Sequence, residues 1–364
     1  MARQLRCIGD ALAWRVFGFR RRYILALCRN DPPGIMAGKE GLIAERECVD
    51  QAWKARGEFA LLHDLTNCLR IGDVTVFTAA GPEVMEIKSS PERRSPAQLQ
   101  RIAAAQRALQ ALGPLPGDNR GHRLYDLNVT FETHLDLLRL ATERASTDGV
   151  FATRVPGDRA LVMADLYGCN RQGWNSSEMT ERVQRQLAAA QRRAGINGER
   201  EYMVSATSLD SVARDPLRVP FAAYPLDPIA CARLIGDLSV FVIVTSGLDL
   251  ADALYDSGID ATWVRVPSTA DLIPGEVLIE LRSTVTEPFI GTVVMQRDRM
   301  MQLCRSEMDR YLIELIEKRS WIEGIRYLMA LDKLMPRQPV VRQRYGTAVS
   351  PVAWDRAVRG ESGL

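Results

Sequence analysis

One short stretch of the chain carries the side chains needed to hold a hard cation and to act on a phosphate ester. Asp73 stands in Leu69-Arg70-Ile71-Gly72-Asp73-Val74-Thr75-Val76-Phe77, and Glu86 and Lys88 stand in Glu83-Val84-Met85-Glu86-Ile87-Lys88-Ser89-Ser90. Carboxylate oxygens suit Mg²⁺, which keeps several of its waters. Such an ion activates water and neutralises charge on a phosphodiester. A nearby ammonium orients the water or stabilises the developing oxyanion. Lys suits that task as a compact point charge on a flexible stem. The chain has only five Lys among its 47 basic residues, so Lys88 stands out by residue type.

These groups act together only if two strands bring them side by side. The turn Ala79-Ala80-Gly81-Pro82 predicts a hairpin, with Asp73 opening one strand and Glu83 to Ser89 forming the next. Glu86 and Lys88 then share one sheet face with Val84, while Met85 and Ile87 take the other. Charge on an apolar-rich strand is normally paired or bound to metal. Cys68 to Ile71 reads as a further short strand. A helix is predicted over about 39–56, with Leu42, Val49, Ala52 and Trp53 as its apolar stripe and Gly57 at its end. At about 100° per residue, Glu45 falls inside the arc of that stripe, while Glu40 and Glu47 fall opposite. Glu45 is therefore the acid directed at the sheet. A second helix follows the hairpin from Ser95-Pro96 to about 112, with Pro in its first turn.

The order of helix, hairpin carrying Asp73 and then Glu86-Ile87-Lys88, and helix resembles the PD-(D/E)xK nuclease superfamily. The resemblance covers about residues 40–110. It implies an α/β fold with a restriction-endonuclease-like core, a mixed sheet flanked by helices. It implies a catalytic set of Asp73, Glu86, Lys88 and Glu45, with Mg²⁺ (or Mn²⁺) held by Asp73, Glu86 and Glu45. It also implies substrate contacts from Gln98 and Arg101, which are three apart on one helix face, and from Arg93 and Arg94 on backbone phosphates. The implied activity is metal-dependent hydrolysis of phosphodiester bonds in nucleic acid. By family habit DNA is expected before RNA, in defence against foreign DNA or in DNA repair.

Two other readings fit the same residues. A non-catalytic nucleic-acid-binding or regulatory protein on this fold suits the net charge of +2, because duplex binding usually uses a basic face. An unrelated α/β scaffold or assembly protein would carry Glu86-Ile87-Lys88 on an ordinary strand edge. A converging, partly buried Asp73–Glu86–Lys88 cluster would support the first two readings, and side chains splayed into solvent would support the third.

The remaining sequence sets the frame. A length of 364 residues predicts roughly two domains. Apolar residues at 46% and charged residues at 25% suit a folded chain. The seven Cys include no CxxC pair, so they read as reduced thiols of a cytoplasmic protein and not as zinc ligands or a disulfide framework. No uncharged apolar run is long enough to span a membrane. The Arg-interrupted N-terminus reads as an amphipathic helix, not a signal peptide. No P-loop, GxGxxG, HExxH or GxSxG occurs. His63, beside Asp64, is a base by type, although a structural role is commoner for a lone His.

The expected organisation is an N-terminal helix in 1–34 (with one helix over 10–29), a nuclease-like α/β domain over 35–167 and a helical linker over 168–200. A second α/β domain over 201–340 would end in a pair of helices, about 296–318 and 321–334, before an irregular tail over 341–364. That second domain is where contacts with another copy or a partner protein are expected. Ile71 to Phe77 echoes Ile235 to Phe241, and Glu83 to Ser90 echoes Glu276 to Thr284. If the echo is a duplication, both copies must share one strand order.

Overall fold

Gly18 and Phe19 both have left-handed backbones, φ +60° and +55°, and they split the N-terminal helix in two. The computed structural model describes residues 2–28, 39, 41–87, 95–111, 116, 124, 126–127, 129–196, 202–206, 218–264, 277–288, 294–334 and 346–347. The single helix expected over 10–29 is therefore α1 (Ala2–Val16) and α2 (Arg21–Leu27). Two compact units form. One is built mainly on Met1–Val129, the other mainly on Thr130–Ser211 and Pro225–Pro336.

In the first unit, α3 (Leu42–Arg56) stops at Gly57, whose φ of +65° is costly for other residues. The strands β1 (Phe59–Leu62), β2 (Val74–Thr78) and β3 (Gly81–Met85) form an antiparallel sheet in that order. Alternation along β2 buries both of its faces. Val74 and Val76 pack with Ala60, Leu62 and Ile87 against Val49 and Ala52 of α3. Phe77 points the other way and meets Phe17, with ring centroids 5.1 Å apart. The helix α4 (Pro96–Gln110) covers the β3 edge, where Gln106 accepts from the Val84 N–H at 2.8 Å and donates to the Pro82 carbonyl at 2.9 Å. Those bonds occupy backbone groups that an open edge would expose.

Several expectations change here. Among the described residues this sheet is antiparallel throughout, not mixed. Cys68 to Ile71 is a buried loop, because the Arg70 and Ile71 N–H groups bond to the Leu27 carbonyl closing α2 and not to a neighbouring strand. Trp53 is 65% exposed, so the stripe of α3 centres on Ala52. The strand carrying Glu86 ends at Met85, so the Glu-x-Lys stretch runs off the sheet.

The second unit contains α5 (Leu135–Asp148), β4 (Val150–Val155), β5 (Arg159–Asp165), α6 (Leu166–Arg171), α7 (Ser176–Arg193) and β6 (Tyr202–Ala206). It continues through α8 (Pro228–Ile235), β7 (Ser239–Ser246), α9 (Gly247–Asp256) and β8 (Asp260–Trp263). It closes with β9 (Val277–Pro288), β10 (Val294–Cys304), α10 (Arg305–Ile313) and α11 (Lys318–Leu334). One antiparallel sheet runs β4-β5-β7-β6 and another runs β10-β9-β8.

The expected boundary near 167 moves, because β5 pairs with β7 along its whole length from Arg159↔Thr245 to Asp165↔Ser239. The expected linker is instead a core helix. Met179, Val183, Leu187 and Ala190 of α7 pack on Val150, Ala152, Ala160 and Val162. Residues 294–304 are strand where a helix was expected, since β9 pairs them from Val277↔Cys304 to Pro288↔Val294. Cross-strand partners override local helix preference there. The duplication also fails. β2 pairs with its sequence neighbours β1 and β3, whereas β7 pairs with β5 and β6, and β9 with β8 and β10.

Candidate functional site

Gly72 sets the position of Asp73. Its φ is +81°, and a Cβ there would lie 2.6 Å from Val84 Cγ1 and 2.9 Å from the Met85 carbonyl oxygen. Only glycine lets the chain pass this close to β3 in this conformation. The Asp73 N–H then donates to the Met85 carbonyl at 2.8 Å, and its own carbonyl accepts from the His63 N–H at 2.9 Å. Where backbone pairing stops, the side chain takes over: Asp73 Oδ2 accepts from the Ile87 N–H at 2.8 Å. This places Glu86 across from Asp73 although Glu86 lies beyond the strand. Gln98 of α4 donates to the Glu86 carboxylate.

Glu45 and Asp64 meet Asp73 through a residue that the sequence reading did not single out. Lys39 Nζ lies 2.6 Å from Glu45 Oε1, 2.6 Å from Asp64 Oδ2 and 3.8 Å from Asp73 Oδ1. The Glu45 side chain is only 1% exposed. Its other oxygen, Oε2, is buried with no hydrogen-bond partner. Leaving a buried acceptor unpaired is costly, so such atoms call for an explanation. Burial pushes the Glu45 carboxyl above its ordinary range. The Lys39 bond opposes this, and the negative charges of Asp73 and Asp64 add to it. Burial alone would lower the Lys39 ammonium, but its bonds to Asp64 and Glu45 outweigh burial and hold it above the usual range. The two shifts have different leading causes, burial for Glu45 and the bonds to Asp64 and Glu45 for Lys39.

The scaffold around these acids is neutral or fully bonded. His63 is buried, with Nδ1 3.1 Å from the Gly72 carbonyl and Nε2 2.7 Å from the Thr75 hydroxyl. A carbonyl only accepts, so Nδ1 carries the proton and Nε2 accepts from Thr75. Burial holds the imidazole down at about 4, so it stays neutral and pins the turn that carries Asp64. Asp10 of α1 accepts from the Asn67 and Cys68 N–H groups at 2.6 and 3.0 Å and from the Asn67 side chain at 2.8 Å, fixing the next loop. Burial raises the Asp10 carboxyl despite those bonds.

Beside Gly72 lies a small cleft of about 40 Å³, lined by Arg70, Ile71, Gly72, Gln98, Arg101 and Ile102. Gln98 and Arg101 therefore share a surface, as their spacing predicts. Arg70 joins them, its Nε donating to the Asn67 carbonyl at 3.1 Å. Two guanidinium groups beside a carboxylate cluster suit a phosphate next to a cation.

Of the expected site residues, Glu45 and Asp73 share Lys39, Glu86 bonds to Gln98, and Gln98 and Arg101 line the cleft at Gly72. Lys88, Arg93 and Arg94 lie outside the described residues. Lys39, Asp64 and Arg70 were not part of the expected set. The scarcity of Lys was the one signal in the sequence that could have pointed to Lys39. Carboxylate oxygens, one of them the unbonded Glu45 Oε2, are the donor type that a divalent cation takes. Among the described residues no three His, Cys, Asp or Glu side chains already stand at ligand spacing. None of the described helices is long and apolar enough to cross a membrane. Compared with known proteins, the chain matches no family model, no curated protein and no solved structure.

Proposed function

We propose that the first unit is a metal-dependent phosphodiesterase acting on nucleic acid, on a restriction-endonuclease-like core. The observation that carries this reading is that Lys39 links the buried Glu45 to Asp64 and Asp73, with Glu86 next to the Ile87 N–H that bonds Asp73, and with an Arg-lined cleft at the adjoining Gly72. Asp73, Glu86 and Glu45 come from a strand start, a strand end and a helix. Asp73, Glu86 and Glu45 would hold Mg²⁺ or Mn²⁺, with Glu45 Oε2 as an available donor. When bound, that ion supplies Lewis acidity and neutralises charge on the phosphodiester.

The chain's own groups do the rest. The Ile87 N–H orients Asp73, and Gln98 orients Glu86. Arg70 and Arg101 hold non-bridging phosphate oxygens with paired N–H donors. Lys88 keeps the role the family resemblance gives it, stabilising charge that develops on the phosphate. DNA is the expected substrate before RNA, with defence against foreign DNA or DNA repair as the setting. The reduced thiols suit a cytoplasmic protein, and the second unit is the proposed place for contacts with another copy or a partner protein.

The test is cleavage of linear and supercoiled DNA, single strands and RNA with Mg²⁺, Mn²⁺ or EDTA, for the native chain, Asp73→Asn and Lys88→Ala. Cleavage should require metal and fall at least about 100-fold in Asp73→Asn. Cutting that survives EDTA or Asp73→Asn overturns the assignment. If a folded protein binds nucleic acid but cuts none of these substrates, the binding-protein reading replaces it.

A further inference from the structure

We infer that the Lys39 ammonium is a built-in cation standing in the place of a divalent ion among Glu45, Asp64 and Asp73, and that Asp64 is a ligand of that ion once Lys39 leaves. The inference rests on reading this cluster as a cation site, and it adds how the site is held before metal binds. Among the described residues one ammonium serves three carboxylates, at 2.6, 2.6 and 3.8 Å, which leaves these four side chains with a surplus of negative charge. A divalent ion would neutralise more of it than Lys39 does.

An independent sign is Glu45 Oε2, a buried acceptor that the ammonium leaves without a partner. The acids are carried by a helix and two bonded turns, and the cation by a residue outside any helix or strand. Glu45 sits in the first turn of α3. Asp64 sits in the turn pinned by His63. Asp73 is held by the Ile87 N–H. Lys39 reaches the site on a flexible stem from a residue outside any helix or strand, and its side chain is 31% exposed. An ion entering the cluster therefore has a cation to displace, with water beside it to receive the ammonium.

The first experiment uses the unmodified chain. An amine-acylating reagent is applied with and without saturating MnCl₂, and labelling is read residue by residue by mass spectrometry. Lys54, whose side chain is 73% exposed and paired with Asp50, serves as the internal reference. Labelling of Lys39 should rise severalfold with MnCl₂ while Lys54 stays constant. Unchanged or reduced Lys39 labelling overturns the inference.

The second experiment is calorimetric titration of MnCl₂ into the native chain, Lys39→Met and Lys39→Met with Asp64→Asn. Lys39→Met should bind about tenfold tighter than the native chain, and adding Asp64→Asn should remove that gain. No tightening in Lys39→Met overturns the competition, and no effect of Asp64→Asn removes Asp64 from the ligands. Neither measurement contains nucleic acid. Cation exchange without cleavage of any substrate would end the nuclease reading and leave this one standing, and cleavage without Lys39 release would do the reverse.

Discussion

Asp165 and Glu45 are both buried carboxylates, one in each unit. Asp165 ends β5 and accepts the Gly168 N–H at 2.7 Å, which caps α6. Its other oxygen accepts from the Ser239 hydroxyl at 2.6 Å and from Arg233 at 3.1 Å. Both oxygens are used, and the charge has its own guanidinium partner. Glu45 shares one ammonium with Asp64 and Asp73 and leaves an oxygen unbonded. A buried acid that is fully bonded fastens its surroundings. A buried acid that is underserved holds binding capacity in reserve, and this contrast separates the two sites more sharply than residue type or burial does.

The largest expected effect that tests the contrast is at Asp165. Asp165→Ala should lower unfolding stability by about 4 kcal/mol in urea denaturation, because it strands Arg233, the Ser239 hydroxyl and the first turn of α6. A loss below about 1 kcal/mol would erase the distinction. Next comes acid. The His63 imidazole is held at about 4 against an ordinary value near 6.5, so the folded state takes up its proton only at lower pH than the unfolded chain does. Its contribution is complete above pH 6.5 and is lost as pH falls toward 4, about 3 kcal/mol over that window. Denaturation at pH 7 and pH 5 should show about 2 kcal/mol of this loss in the native chain and a smaller one in His63→Gln.

Glu45→Gln should behave unlike Asp165→Ala. It removes one charge from a cluster in surplus, so stability should move by less than about 1 kcal/mol while Mn²⁺ affinity falls about tenfold in calorimetry. The smallest change is expected at the cleft. Arg101→Ala should leave the melting temperature within about 2 °C of the native value. It should reduce the salt dependence of nucleic-acid binding by about one phosphate contact, read from affinity against salt concentration.

Much of the first unit could be read along the chain because its signals are local. Gly57 ends α3 and Pro96 opens α4 where turn and capping chemistry placed them. Helical phase turned Glu45 inward, and the hairpin turn set Asp73 opposite Glu86. The same reasoning missed β1, took Cys68 to Ile71 for a strand, and made a helix of β10. In each case the deciding hydrogen bonds come from distant partners: Val74–Phe77 for β1, Leu27 for the loop, and β9 for β10.

The sequence by itself determined which acids have the type and helical or strand phase to serve a cation, because periodicity is a property of neighbouring residues. Only the tertiary structure decided who neutralises them. Lys39 and Asp64 are 25 residues apart, and nothing in either local pattern marks them as partners. Charge pairing acts through space over a few ångströms, so it is set by where the folded chain returns and not by the order of residues along it.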